Sequence, residues 1–151
     1  MGNKKVLLVV SHGSKRKESN QEFKDFIKKL NEINQKKLQD RQAEELAEKF
    51  AEIRMGNKTI SYQEVKGACL EFAFPQLETV IKDLIEQGKE EVDILPLFVF
   101  AGYHVRQDIP RRMAEIKDEF SQLKYNILDH PAADDNFASY IFKQALKQSF
   151  T

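Results

Sequence analysis

Two histidines and one glutamate are the side chains in this sequence best suited to chemistry. His12 stands in Val9-Val10-Ser11-His12-Gly13-Ser14, Glu71 in Cys69-Leu70-Glu71-Phe72, and His104 in Ala101-Gly102-Tyr103-His104-Val105-Arg106. Neutral imidazole binds divalent first-row metals, and a carboxylate adds charge. The same groups take and return protons near neutral pH. Such a set suits a site that holds a metal loosely and accepts protons. It makes a poor permanent store, because it lacks the fourth ligand of a closed structural site. Each residue alone has an ordinary explanation: a histidine after a strand is most often a hydrogen-bonded loop residue, and a glutamate is most often solvated. Their shared position carries the functional reading, and that position depends on the elements around them.

The periodicity predicts four strands alternating with helices. Lys4 to Val10 reads as a short buried strand. Ser19 and Glu22 resemble a capping box opening a first helix, with Phe23, Phe26, Ile27, Leu30 and Ile33 at helical spacing. A polar tract from Asn34 to Lys58 follows, with Leu46, Phe50 and Ile53 as a thin apolar stripe. It reads as a helical insertion at about 34–58, serving as an arm toward a second copy or as a lid. Thr59 to Gly67 alternates like a strand. Pro75 opens the next helix, with Leu77, Val80, Ile81, Leu84 and Ile85 turned inward and Gly88 ending it. Val92 to Phe100 reads as a central strand with Pro96 forcing a bend or bulge. Ile109 to Phe120 is a helix, Tyr125 to Leu128 a strand, and Asp134 to Phe150 a closing helix.

This order predicts an α/β fold: a three-layer α/β/α sandwich on a four-stranded parallel sheet, flavodoxin-like, in a single domain over 1–151. All C-terminal strand ends then point to one edge, the usual ligand edge of an open α/β sheet. His12, Glu71 and His104 follow the first, second and third strands, so they converge there. His130 precedes Pro131 after the fourth strand and reads as a turn residue. Cys69 reads as a buried small hydrophobe.

Composition narrows the class. The chain has 151 residues, 41% of them hydrophobic, which suits one domain with a core. No apolar run approaches the ~18 residues of a membrane span, and the start shows no cleavable signal, so neither membrane nor export is expected. Lys and Arg total 24, matched by 24 Asp and Glu, which argues against a nucleic-acid partner. Cys69 is the only cysteine, so no internal disulfide forms, and a cytoplasmic setting fits. Lys15-Arg16-Lys17 offers local positive charge for substrate carboxylates. There is no P-loop and no Gly-x-Gly-x-x-Gly fingerprint. The residue before His12 is Ser11, not the arginine of a histidine phosphatase.

The blocks around His12, Gly67 to Pro75, and Leu95 to Pro110 resemble the small sirohydrochlorin chelatases of the CbiX type; the third block is the most specific. The tail from Leu128 to Asp135 is also similar. The resemblance implies ATP-independent insertion of a divalent metal into sirohydrochlorin, a tetrapyrrole bearing eight carboxylates. The metal is a substrate, with no tightly bound cofactor. Cobalt, in cobalamin biosynthesis, is favoured over iron for sirohaem or nickel. The resemblance implies that His12 and His104 handle the metal and Glu71 is their acidic partner. Ser14, Lys15, Arg16, Gly102, Tyr103 and Arg106 are expected to meet the substrate. It also implies a homodimer, with the ring in a cleft between two chelatase half-domains. Two competing readings are a metal or tetrapyrrole carrier without catalysis, and a flavodoxin-like interaction module with an incidental histidine.

Overall fold

A computed structural model of the chain describes residues 5–36 and 62–149. The elements are β1 (Lys5–Ser11), α1 (Lys17–Lys36), β2 (Glu64–Cys69), α2 (Leu77–Glu86) and β3 (Glu91–Pro96), then a π-helical turn (His104–Asp108) running into α3 (Ile109–Glu119), β4 (Lys124–Ile127), a 3-10 turn (Pro131–Ala133) and α4 (Asp135–Ser149). The four strands form one parallel sheet in the order β2-β1-β3-β4. The expected α/β architecture is therefore present. The arm or lid expected at about 34–58 starts within the last residues of α1, and its remainder, 37–58, lies outside the described residues.

Alternation in the strands sorts the two faces of the sheet. Val6, Leu8 and Val10 of β1, Ala68 of β2, and Val92 and Ile94 of β3 join Leu77, Val80, Ile81 and Leu84 of α2 and Ile109, Met113 and Ile116 of α3 in one buried core. The inward stripe predicted for α2 is the one observed. A Schellman turn ends α2: Lys89 N–H donates to the Leu84 carbonyl, Gly88 N–H donates to that of Ile85, and Gly88 has φ of +78°.

The other face meets α1, and the approach is close. A Cβ on Gly67 would lie 2.9 Å from both Phe23 and Ile27, so only glycine lets the helix sit there. Phe26 and Ile33, which share the helical spacing of Phe23 and Ile27, are exposed. Two asparagines of α1 occupy the free edge of β2. Asn31 accepts from Val65 N–H and donates to the Val65 carbonyl, and Asn34 does the same for Tyr62. Those backbone groups would otherwise be the unpaired groups of an edge strand.

Three boundaries differ from expectation for physical reasons. The first helix begins at Lys17, not after Ser19. Its start is held by Asn20, which accepts from Ser14 N–H and donates to the Ser14 carbonyl, while Ser14 Oγ accepts from Arg16 N–H. Pro75 follows a cis peptide bond with Phe74 and precedes α2 rather than opening it. Pro96 ends β3 instead of bending a longer strand. Residues 97–103 therefore cross the rim of the sheet as a loop and deliver His104 to it.

Candidate functional site

The sheet sets the first half of the site. Ser11 lies beside Cys69 in the β1–β2 register, and the pairing runs on past both strands. Leu70 N–H donates to the Ser11 carbonyl at 3.0 Å and Glu71 N–H to the His12 carbonyl at 2.9 Å. His12 and Glu71 are thus fixed as neighbours by backbone. Gly13 makes this possible. It has φ of +89°, and a Cβ there would fall 1.9 Å from the Glu71 carbonyl oxygen.

The side chains follow. His12 Nε2 stands 3.6 Å from Glu71 Oε2, and His12 Nδ1 lies 3.2 Å from the Gly13 carbonyl oxygen. A carbonyl only accepts, so this contact is made with a proton on Nδ1; in the neutral ring Nε2 is then unprotonated and faces the carboxylate. Two lone-pair atoms at that spacing make a slot for a proton or a cation.

His104 comes from the other side of β1, on the π-helical turn, and its ring centroid is 4.7 Å from that of His12. In this turn Ile109 N–H reaches back to the His104 carbonyl; such widened turns concentrate at functional sites. His104 Nδ1 lies 3.0 Å from Asp108 Oδ2. The carboxylate can only accept, so Nδ1–H donates and Nε2 again carries the lone pair.

Asp108 is a site residue that the sequence reading missed. It is 6% exposed, and Arg111 holds its other oxygen at 2.8 Å, with Arg112 3.7 Å from Oδ2. Burial works against its charge. Hydrogen bonds from His104 and Arg111 and the charge of Arg112 outweigh that and hold its carboxyl below the usual aspartate range. Arg112 is in turn forked onto Glu78 of α2 at 2.7 and 2.6 Å and donates to the Leu70 carbonyl. One network therefore ties α2, the end of β2 and α3 to the ring of His104.

Aromatic side chains surround the histidines. Phe98 stacks on His104, with ring centroids 5.9 Å apart; Tyr103 meets His104 edge-on at 5.6 Å. Phe72 lies 5.5 Å from His12, and Lys15 Nζ sits 5.0 Å over its ring. Phe72, Phe74, Val99, Phe100 and Tyr103 are all exposed.

The remaining expected site residues are dispersed. Ser14 is engaged in the start of α1, with Arg16 beside it, so its hydroxyl is already used locally. Gly102 is exposed, and a Cβ there would meet nothing within 4 Å. Arg106 gives its Nε–H to the Ala101 carbonyl and so braces the loop before His104. His130 lines a separate cavity of about 730 Å³ with Leu95, Asp129 and Asp134. Cys69 is buried, its sulfur 3.7 Å from Ser11 Oγ. Among the described residues, no three His, Cys, Asp or Glu side chains are gathered tightly enough to hold a metal ion. Nor is any described helix long and apolar enough to cross a membrane.

Comparison with known proteins follows the same lines. The CbiX family model matches residues 34–148, a stretch that contains Glu71, His104 and Asp108. The chain is 29% identical over 127 residues to the chloroplastic sirohydrochlorin ferrochelatase of Arabidopsis thaliana, covering 84% of this chain and 45% of that protein. It is 28% identical over 113 residues to the sirohydrochlorin cobaltochelatase of Sulfolobus acidocaldarius, covering 75% and 69%. Among solved structures, it superposes on the sirohydrochlorin chelatase SirB of Bacillus subtilis subspecies spizizenii in complex with cobalt. That match has a TM-score of 0.67 at 18% identity and covers 95% of this chain and 50% of that one. The chain thus spans about half the length of the Arabidopsis and Bacillus proteins.

Proposed function

This chain belongs to the CbiX family, and on that premise we propose that it is a sirohydrochlorin chelatase, inserting a divalent metal ion into the free tetrapyrrole without ATP. One observation carries the reading: two imidazoles 4.7 Å apart, each with Nδ1–H tied down, one of them with its lone pair 3.6 Å from a carboxylate. Metal insertion replaces two pyrrole N–H protons with one dication, so the site must both pass an ion and collect protons. Nε2 of His12 and of His104 offer the ion a place after it sheds water. As the ion enters the ring, the slot between His12 and Glu71 accepts a proton, and His104 accepts the second. Asp108 holds His104 in the tautomer that makes this possible. Lys15, Arg16 and Arg106 supply the positive charge that would meet ring carboxylates.

The open set of ligands favours transfer over storage, which separates a chelatase from a carrier. The relatives include proteins named for iron and for cobalt. We favour cobalt here, with iron and nickel as the other candidates; imidazole accepts all three. A second copy of the chain supplies the other wall of the cleft, a reading supported by the exposed aromatic rim.

The test is direct. Protein is mixed with metal-free sirohydrochlorin and Co2+, Fe2+ or Ni2+ in a metal-scrubbed anaerobic buffer, and the absorption spectrum is followed. Many equivalents of metallated ring per protein, faster than the uncatalysed reaction, are expected. Conversion that stops at one equivalent indicates a carrier, and an unchanged spectrum removes the reading.

A further inference from the structure

Phe72 combines two features that a free surface residue has no reason to keep. Its φ is +62°, in the left-handed region that side chains other than glycine, asparagine and aspartate rarely occupy. The residue is 51% exposed, so the core does not explain that conformation. Strained backbone at an exposed aromatic is retained where the surroundings over-determine it, and such positions gather at ligand sites. The surroundings here are the site itself. Phe72 directly follows Glu71, whose carbonyl is pinned beneath Gly13 and accepts from Ala73 N–H at 2.8 Å.

The neighbours define what the ring would receive. The imidazole of His12 is 5.5 Å from the ring, and the ammonium of Lys15 lies 5.0 Å over it. An apolar ring thus stands beside both a metal- and proton-handling group and a cation. That grouping complements a ligand with a flat apolar interior, a reactive centre and an anionic rim. A small hydrated ion or a simple carboxylate would have no use for the phenyl face.

We propose that Phe72 is a substrate-binding residue: its ring packs against the face of the macrocycle and sets the height of the ring centre over His12, while Lys15 meets a peripheral carboxylate of the same molecule. This deepens the chelatase reading and rests on it. The left-handed backbone is then the means by which the side chain reaches the rim instead of the solvent beyond β2.

The experiment uses the full chain and two variants, Phe72→Gly and Phe72→Leu. Binding of metal-free sirohydrochlorin is followed by its absorbance and fluorescence, turnover with Co2+ by the spectral change, stability by thermal melting, and mass by light scattering. Phe72→Gly relieves the strained φ, so its melting temperature is expected to rise by roughly 3 °C. Its dissociation constant and KM for the tetrapyrrole are expected to rise about tenfold. Phe72→Leu keeps an apolar group on the same backbone and is expected to fall between wild type and Phe72→Gly in affinity. Wild-type binding combined with unchanged affinity in both variants overturns the proposal and leaves the chelatase reading standing. So does a change in oligomeric mass that accounts for the lost affinity, since the ring would then serve contact between copies. Failure of the wild-type protein to bind the tetrapyrrole overturns both.

Discussion

His104 Nδ1 and Asp108 Oδ2 lie 3.0 Å apart across one π-helical turn, and this contact decides which nitrogen of the histidine faces the site. A buried carboxylate held by two arginines is a fixed acceptor. It leaves the imidazole one tautomer and one orientation.

Removing that acceptor is expected to cost activity through His104. Asp108→Ala is predicted to lower the chelation rate about 10- to 100-fold. In 15N NMR of the neutral ring, the wild-type His104 shows a single tautomer protonated at Nδ1, and the variant shows a mixture. Asp108→Asn, whose amide oxygen still accepts, is expected to lose less. A variant with altered stability but wild-type rate and tautomer would mean that the carboxylate serves only the helix.

The Glu78–Arg112 pair carries a pH dependence of stability. The Arg112 hydrogen bonds, opposed by burial, hold the Glu78 carboxyl below its usual range. A carboxylate lowered in the folded state stabilises the fold above its unfolded value of about 4.3. That contribution is lost as pH falls through the lower folded value. The wild-type melting temperature is therefore expected to fall below about pH 4.5 more steeply than that of Glu78→Gln. Parallel curves for the two proteins would contradict the assignment.

Gly13 is expected to be the least replaceable residue of the rim. Gly13→Ala places a Cβ against the Glu71 carbonyl and forces an unfavourable positive φ. A loss of about 2–3 kcal/mol in denaturant unfolding is predicted, together with loss of turnover as the spacing of His12 and Glu71 changes. Wild-type unfolding of this variant would show that the β1–β2 rim can relax.

Gly102 is expected to behave in the opposite way. The protein leaves open space around it, so Gly102→Leu should melt within about 0.5 kcal/mol of wild type. If the tetrapyrrole approaches the backbone there, KM rises in Gly102→Leu while kcat holds. Unchanged KM places the macrocycle elsewhere. His104→Ala serves as the paired control: insertion is expected to be abolished, with a modest fall in melting temperature because the buried Asp108 loses a hydrogen-bond donor.

Much of the scaffold was legible from periodicity because the core dictates it. The α2 stripe from Leu77 to Leu84, the strand alternation and the parallel order all follow from which residues must leave water. The placement of His12, Glu71 and His104 at one edge followed from topology alone. Other features had weaker signals. Asp108 looks like any charged residue near a helix start, and only its spacing of four from His104 hinted at a contact. The left-handed backbone of Phe72 cannot be read from an aromatic side chain; it is imposed by the pinned turn around Glu71. Phe26 and Ile33 keep helical spacing without being buried, because the sheet edge meets α1 through Phe23, Ile27 and two asparagines. Pro96 was misread because hydrophobicity continues past it to Phe100, although its ring closes the strand.

The ladder that continues from Ser11 and Leu70 to His12 and Glu71 acts as a caliper. The gap between these two residues is a sheet spacing, set by backbone and indifferent to most side-chain changes nearby. The loop at 97–103 has no such tether to β1 beyond its first residue, Leu97. Divergence among such proteins would therefore accumulate in the loop residues that lead to His104, while the spacing of His12 and Glu71 keeps its dimensions.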